Sequence, residues 1–295
     1  METKRQTLIQ ILTFLGITTI LTVGVFIWIF NLPKNESGLY AVMMFVPGIA
    51  AIITSLLYKD KIRDYGWRFG KAKFLAYAYL LPIIVAALAY GFSWMSPLAE
   101  FYTDEVTMYQ WSQMLGFELP APALIGIISK GVIAFMIAFI LVTGEEIGWS
   151  GFLTPKLLKI TSIPITSVVV GLYWSVWHYP AIIGGLYNSY YTAPLWIKLI
   201  GFTLVMTSAS FIRTVLISKS KSVWIGSILH ASHNVILMGV FFDLTVKKGY
   251  AGYVVSETGI IAGIVYAVVA IMFWRRQVTK TIQTDLLQSL SNDST

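Results

Sequence analysis

Two kinds of residue are scarce in this sequence. Cysteine is absent from all 295 residues, which excludes disulfide bonds, thiolate metal sites and a cysteine nucleophile. Charged residues make up only 12%, against about 25% in a typical soluble domain, whereas hydrophobic residues make up 57%. This composition excludes a soluble globular domain, a disordered chain and a coiled coil. It indicates a polytopic helical membrane protein, because a hydrocarbon core of about 30 Å requires apolar runs of about 20 residues.

Long apolar runs occupy most of the chain. They are solid rather than alternating, which argues against a membrane β-barrel. We predict eight transmembrane spans, at about residues 8–30, 39–58, 74–94, 122–146, 163–182, 195–217, 222–242 and 258–274. The first run is longer than that of a signal peptide, so we expect it to be retained. The sequence shows no internal repeat, and the predicted fold is all-α, a single membrane domain over residues 1–295.

The basic residues predict the orientation of the chain in the membrane. With eight spans, sixteen Lys and Arg residues fall on the side that holds both termini, and five fall on the other side. The loop from about Met95 to Ala121 lies on the poorer side and contains four acidic residues and no basic one. We therefore expect an integral protein of a bacterial plasma membrane with both termini in the cytoplasm. The net charge of +7 reflects this loop bias and is not taken as evidence for nucleic-acid binding.

Ionisable residues inside apolar spans are costly, so each one is a candidate functional group. Glu145 and Glu146 end the fourth predicted span. Neighbours on a helix point about 100° apart, so the two carboxylates cannot serve the same spot. One of them can face an internal cavity as a general base while the other meets a structural partner. The alternative is that both lie in headgroup water at the membrane boundary.

Two further polar groups lie in the fifth and seventh predicted spans. His178 follows Trp174 by one helical turn, so the indole can pack against the imidazole and orient it. Such residues are also typical of the aromatic belt at a membrane interface. His230 and Asn234 project from one helix face, with His233 close to it. An imidazole with an amide suits an oxyanion site or a metal site. The alternative is interhelical hydrogen bonding, which three such groups within five residues of an apolar span disfavour.

Taken together, the three places supply a base, an orienting imidazole, and a second imidazole with an amide. This set of groups can activate a water molecule and stabilise a tetrahedral oxyanion. The serine motif G-x-S-x-G and the zinc motif H-E-x-x-H are both absent. The reaction that these residues predict is hydrolysis of an amide bond by an activated water inside the membrane.

In order and spacing, these motifs resemble the CPBP family, which comprises type II CAAX prenyl endopeptidases and bacteriocin-processing or self-immunity proteins. The family pattern is E-E-x-x-x-R, then aromatic-x-x-x-H, then H-x-x-x-N, on successive spans of an eight-helix protein. Here the three motifs begin at Glu145, Trp174 and His230, and the resemblance covers about residues 122–242. It implies an intramembrane endopeptidase that processes prenylated or bacteriocin-like peptides. Its partners would be a peptide or lipidated-peptide substrate and membrane lipids.

The resemblance also implies a role for each motif residue. Glu145 would be the base that activates the water, and His178 would hold that water with it. His230 and Asn234 would form the oxyanion site. Trp174, the aromatic residue of the second motif, would support His178.

One position departs from the family pattern. Ser150 stands where the family has arginine, one helical turn after the supporting residue Glu146. A buried Glu146 then loses its nearest counter-charge, which leaves the effect of Ser150 on activity open. Arg213 on the sixth predicted span, or a water held by Ser150, is a candidate replacement.

The motifs are compatible with mechanisms with and without a metal, and with more than one class of membrane protein. Glu145, His178 and His230 would supply three ligands for a divalent metal such as zinc. A glutamate and a histidine can also activate water without a metal, and Asn234 favours this mechanism as a poor zinc ligand and a good oxyanion donor. The alternatives to a protease are an ion-coupled transporter that uses the same groups and a non-catalytic bacteriocin immunity or scaffold protein. The serine in the first motif argues for the latter.

Overall fold

The computed structural model describes residues 2–31, 40–101, 123–185, 193–246 and 249–292. Within these ranges the backbone is almost entirely helical, and β structure is limited to one isolated bridge between Phe101 and Thr245. The predicted all-α membrane fold is confirmed. Several residues of the topology prediction lie outside the described ranges, namely Lys34, Asp104, Glu105, Glu118, Lys247 and Lys248.

Twelve α-helices occur in the described ranges, and we number them in chain order. They are α1 Lys4–Phe30, α2 Tyr40–Met43, α3 Val46–Tyr58, α4 Ala72–Trp94, α5 Ala123–Glu146, α6 Thr154–Ile160, α7 Ile163–Ile183, α8 Leu195–Ser220, α9 Val223–Val235, α10 Phe241–Asp243, α11 Ala251–Val254 and α12 Ile260–Asn292. A π-helix over Ile147–Leu153 joins α5 to α6, and a second over Ile236–Val240 joins α9 to α10. These two joined segments hold the first and third motifs.

Six helices of the described part are long and apolar enough to cross a membrane, where the sequence predicted eight spans. The six are Lys4–Phe30, Ala41–Tyr58, Ala72–Trp94, Gly131–Ile160, Leu195–Ser220 and Val223–Asp243. The predicted spans at 163–182 and 258–274 are also helical and form α7 and most of the apolar part of α12. Helix α7 is less apolar than the six, because its second half combines serine, tryptophan, tyrosine, histidine and proline.

The predicted end of the fourth span was wrong. The helical segment continues past Glu146 to Ile160, through the π-helix, so Glu145 lies inside it rather than at its end. Six of the seven residues of this π-helix are buried. Single π-helical turns are frequent at functional sites, because they change the direction in which the following side chains point.

Small residues allow other helices to approach the motif helices closely. A Cβ atom at Gly148 would lie 2.6 Å from Pro47 at the start of α3. A Cβ atom at Gly171 of α7 would lie 2.5 Å from the Cα atom of Thr207 on α8. Such backbone approach is typical of helix packing in membranes. It holds α3 against the segment that carries the two glutamates, and α7 against α8.

A polar cluster ties the start of α1 to α6. Lys156 Nζ donates hydrogen bonds to Glu2 at 3.0 Å, to Asp60 at 2.7 Å and to Gln10. Lys159 Nζ donates to the other carboxylate oxygen of Glu2 at 2.8 Å. Partial burial alone would raise the pKa of Glu2, but the hydrogen bonds and charges of the two lysines lower it below its ordinary value of 4.5.

Candidate functional site

The motif helices meet at a cavity of about 240 Å³. Its ionisable and amide side chains are Glu145, His178, His230, His233, Asn234 and Glu257. Its other walls are apolar or aromatic, formed by Phe26, Met43, Met44, Trp174, Trp177, Ala181, Met206, Ala209, Leu229 and Met238. All four residues that the sequence predicts to be catalytic therefore line one cavity, although they come from three helices.

Glu145 is held by two indoles. Its side chain is buried, and its Oε2 atom accepts hydrogen bonds from Trp149 Nε1 at 3.3 Å and Trp174 Nε1 at 3.0 Å. Trp149 lies one turn further along the same helical segment, whereas Trp174 comes from α7. An indole N–H can only donate, so both groups fix this oxygen as an acceptor and restrict the rotation of the carboxylate.

Glu146 has different partners, as the helical spacing predicts. It is fully buried, and its Oε1 atom lies 3.2 Å from both Arg213 Nη1 and His230 Nδ1. Its Oε2 atom accepts a hydrogen bond from Ser150 Oγ. Arg213 of α8 thus provides the counter-charge that Ser150 cannot provide. A buried carboxylate without such a partner would be strongly destabilising.

The serine is sterically matched to its surroundings. A Cβ atom at Gly226 of α9 would overlap Ser150 Oγ and lie 2.5 Å from Glu146 Oε2. The backbone of α9 therefore packs directly on the Ser150–Glu146 pair. This contact leaves little room for a side chain larger than serine at position 150.

Trp174 contacts four groups of the site. Besides its bond to Glu145, its ring faces the guanidinium of Arg213, with Cζ at 4.5 Å from the ring centroid, and meets His230 edge-on at 5.0 Å. Its carbonyl oxygen lies 3.0 Å from His178 Nδ1. A carbonyl can only accept, so Nδ1 carries a proton, and in the neutral form of this imidazole the lone pair is on Nε2.

The indole of Trp174 is not the closest ring to His178, although the sequence analysis expected it to orient the imidazole. The two ring centroids are 6.2 Å apart, whereas Trp177 lies at 4.7 Å and Phe202 at 4.9 Å. The orientation of His178 thus depends on the backbone carbonyl of Trp174 and on these two other rings.

The third motif places His230 and Asn234 on one face of α9. His230 is buried and bonds to Glu146 through Nδ1, while Asn234, one turn later, lines the cavity. Asn234 precedes the second π-helix, Ile236–Val240. The Oε1 atom of Glu146 thus links the first motif to the third.

A three-ligand metal site does not fit these residues as they are arranged. Among the side chains that the structure describes, no three histidine, aspartate or glutamate residues are grouped to hold a metal ion. We therefore derive no step through a metal.

Two residues near the motifs, Glu257 and Tyr266, were not predicted from the sequence. Glu257 lines the cavity from the buried loop before α12, and its Oε2 atom lies 3.2 Å from His233 Nε2. His233 Nδ1 lies 2.7 Å from Tyr266 Oη. The only sequence signal for Glu257 was a lone acidic residue at the edge of an apolar span, which is also typical of a solvated loop.

Comparisons with known proteins match the region of the three motifs. Residues 127–236 match the family described as type II CAAX prenyl endopeptidase Rce1-like. The chain is also 24% identical over 207 residues to CAAX prenyl protease 2 of Methanococcus maripaludis, which covers 67% of this chain and 72% of that protein. The family match includes all four residues predicted to be catalytic and ends before Glu257.

Proposed function

We propose that the chain is a membrane protease of the CPBP family that cleaves peptides with a water activated by Glu145, a proposal that the matches to the Rce1-like family and to CAAX prenyl protease 2 support. The coarser function, a CAAX-type membrane endopeptidase with a peptide substrate, follows from the family. The reacting residues and the substrate are our proposal. The observation that carries it is the single cavity lined by Glu145, His178, His230 and Asn234.

In this mechanism Glu145 and His178 hold the attacking water. The two indoles bind Oε2 of Glu145, and we assign its Oε1 atom to the water proton. His178 accepts a second hydrogen bond from the water through Nε2, because its Nδ1 donates to a backbone carbonyl. The water oxygen attacks the carbonyl carbon of the scissile bond as its proton passes to Glu145. Glu145 then gives this proton to the leaving amine, and the products are a carboxylate and an amine.

His230 and Asn234 stabilise the tetrahedral oxyanion. An ionised Glu146 can only accept, so Nδ1 of His230 carries its own proton and Nε2 faces the oxyanion when it too is protonated. The amide of Asn234 supplies the second donor. Glu146 thus pairs with Arg213 and accepts a hydrogen bond from His230, which keeps the imidazole in place. This arrangement supports catalysis despite the serine in the first motif.

The apolar walls indicate the class of substrate. Four methionines and Phe26 are among the residues that line the cavity. Methionine side chains are flexible and polarisable, so they adapt to apolar groups of different shape. We propose that they accommodate the apolar side chains of a peptide or a lipid group attached to it.

The test uses purified protein in detergent with a library of quenched fluorescent peptides, prenylated and unmodified, with and without a chelator. Glu145→Gln, His178→Ala and His230→Ala should each remove cleavage almost completely, because groups that act as one unit fail together. Asn234→Ala should reduce the rate by about 10²–10³-fold, the usual loss for one oxyanion donor.

Glu100→Gln is the matched control, since it removes an exposed carboxylate far from the motifs in sequence. It should cleave like the parent. Near-normal cleavage by the Glu145→Gln variant would eliminate the proposed base. Loss of cleavage with chelator, and recovery with added metal, would contradict the metal-free mechanism.

A further inference from the structure

Glu257 is a buried carboxylate that the mechanism above does not use. The residue is 2% exposed, and its Oε1 atom has no hydrogen-bond partner among the described residues. Leaving a buried charged acceptor unpaired is costly. Because Glu257 also lines the cavity, a ligand in the cavity can supply the missing donor.

The other oxygen of Glu257 is held in place. When Glu257 is ionised it can only accept, and in that state His233 Nε2 donates to Oε2 and His233 Nδ1 accepts from the phenol of Tyr266. His233 and Tyr266 are both buried. This series of bonds fixes the carboxylate plane, which is what a binding group needs to meet a ligand in one geometry.

The loop that carries Glu257 is built at some cost to the backbone. Ser256 has a φ of 67°, in the left-handed region that non-glycine residues rarely adopt. Its amide donates at 3.0 Å to Tyr90 Oη, which itself donates at 2.7 Å to the carbonyl of Leu237 in the second π-helix. A Cβ atom at Gly201 would overlap the carbonyl oxygen of Thr258. Strained backbone of this kind persists where the surroundings hold it and is often found at functional sites.

We propose that Glu257 is a peptide-binding residue whose Oε1 atom accepts a hydrogen bond from a backbone N–H of the peptide in the cavity. This inference rests on the proposed function. A peptide that enters a cavity loses water from its N–H groups, so each buried N–H needs an acceptor. Two carboxylates are among the described residues that line the cavity, Glu145 and Glu257. In the proposed mechanism Glu145 binds the attacking water, so Glu257 remains as the carboxylate that can accept from the peptide.

The experiment measures binding of a labelled peptide to the Glu145→Gln variant in detergent, so that affinity is read without cleavage. Adding Glu257→Ala should weaken binding by about tenfold to a hundredfold, the range for a hydrogen bond to a charged group. Glu257→Gln keeps the shape and should weaken it by about fivefold. Tyr266→Phe should give a smaller loss of the same affinity, since Tyr266 only positions His233. The exposed control Glu100→Gln should bind like its parent.

A peptide series with one amide at a time replaced by an ester identifies the partner N–H. One ester should weaken binding to the protein that has Glu257 and cause no further loss in the Glu257→Ala protein. Equal losses in both proteins at every position, or an unchanged affinity in Glu257→Ala, would overturn the inference. Glu257→Ala is also made in the protein that keeps Glu145. A lower cleavage rate there, with unchanged affinity in the Glu145→Gln background, would overturn the inference by assigning Glu257 to proton transfer. Binding without cleavage by the parent protein would contradict the proposed function and leave this inference supported.

Discussion

Replacing Arg213 by alanine should destabilise the protein and abolish cleavage. Arg213 is 1% exposed and Glu146 is 0% exposed, and their charged atoms lie 3.2 Å apart. Removing one partner of a buried ion pair typically costs about 3–5 kcal/mol, because the other charge stays buried without compensation. The contact between the guanidinium and Trp174 adds about 1 kcal/mol. We therefore expect a loss of about 4–6 kcal/mol.

The assay is equilibrium or thermal unfolding of purified protein in detergent, followed by tryptophan fluorescence, with peptide cleavage measured on the folded fraction. Two controls separate charge from volume. Arg213→Lys keeps the charge and should lose less stability than Arg213→Ala. In a Glu146→Gln background, Arg213→Ala should cost clearly less than in the parent, because no buried carboxylate is left unpaired.

A second-site variant tests whether Arg213 replaces the arginine of the family motif. Ser150→Arg alone should destabilise the protein, since position 150 packs on Gly226 and a second guanidinium would crowd Arg213. In the Arg213→Ala protein the same change restores a cation one turn from Glu146, and it should recover part of the stability and activity. Simple addition of the two losses would refute the reasoning and favour a weakened or non-catalytic member of the family.

Three further predictions concern packing, pH and topology. Gly226→Ala should lower the unfolding temperature and cleavage, because its Cβ would overlap Ser150 Oγ, whereas Gly16→Ala, which meets nothing within 4 Å, should leave both unharmed. The pKa of Glu2 is lowered in the folded protein, so its stabilising contribution is fully present above pH 4.5 and is lost as the pH falls through the folded-state pKa. Glu2→Gln should therefore lower thermal stability at pH 7, and this loss should shrink as the pH is lowered below 4.5. A reporter at the C-terminus should read cytoplasmic and one near Asp104 external; the reverse result would contradict the orientation drawn from the basic residues.

The sequence was a reliable guide wherever the signal was local. Apolar runs of about 20 residues indicate membrane helices whatever their neighbours are, so the all-α membrane class followed directly. The spacing of Trp174 and His178, and of His230 and Asn234, predicted shared helix faces because a helix repeats every 3.6 residues. The end of the fourth predicted span, by contrast, could not be found from the local sequence. A π-helix extends the segment to Ile160, and composition alone did not reveal it.

What the sequence by itself determined was thus the class of the protein, its motif residues and a shortage of counter-charge at Glu146. Only the tertiary structure decided which residues meet that shortage and complete the cavity. Arg213 lies 67 positions from Glu146, and Glu257 lies 24 positions from His233. Such pairs form because helices distant in the chain pack side by side, and hydrophobic periodicity gives the face of each helix but not its neighbour. The pairing of buried charges is a property of that packing.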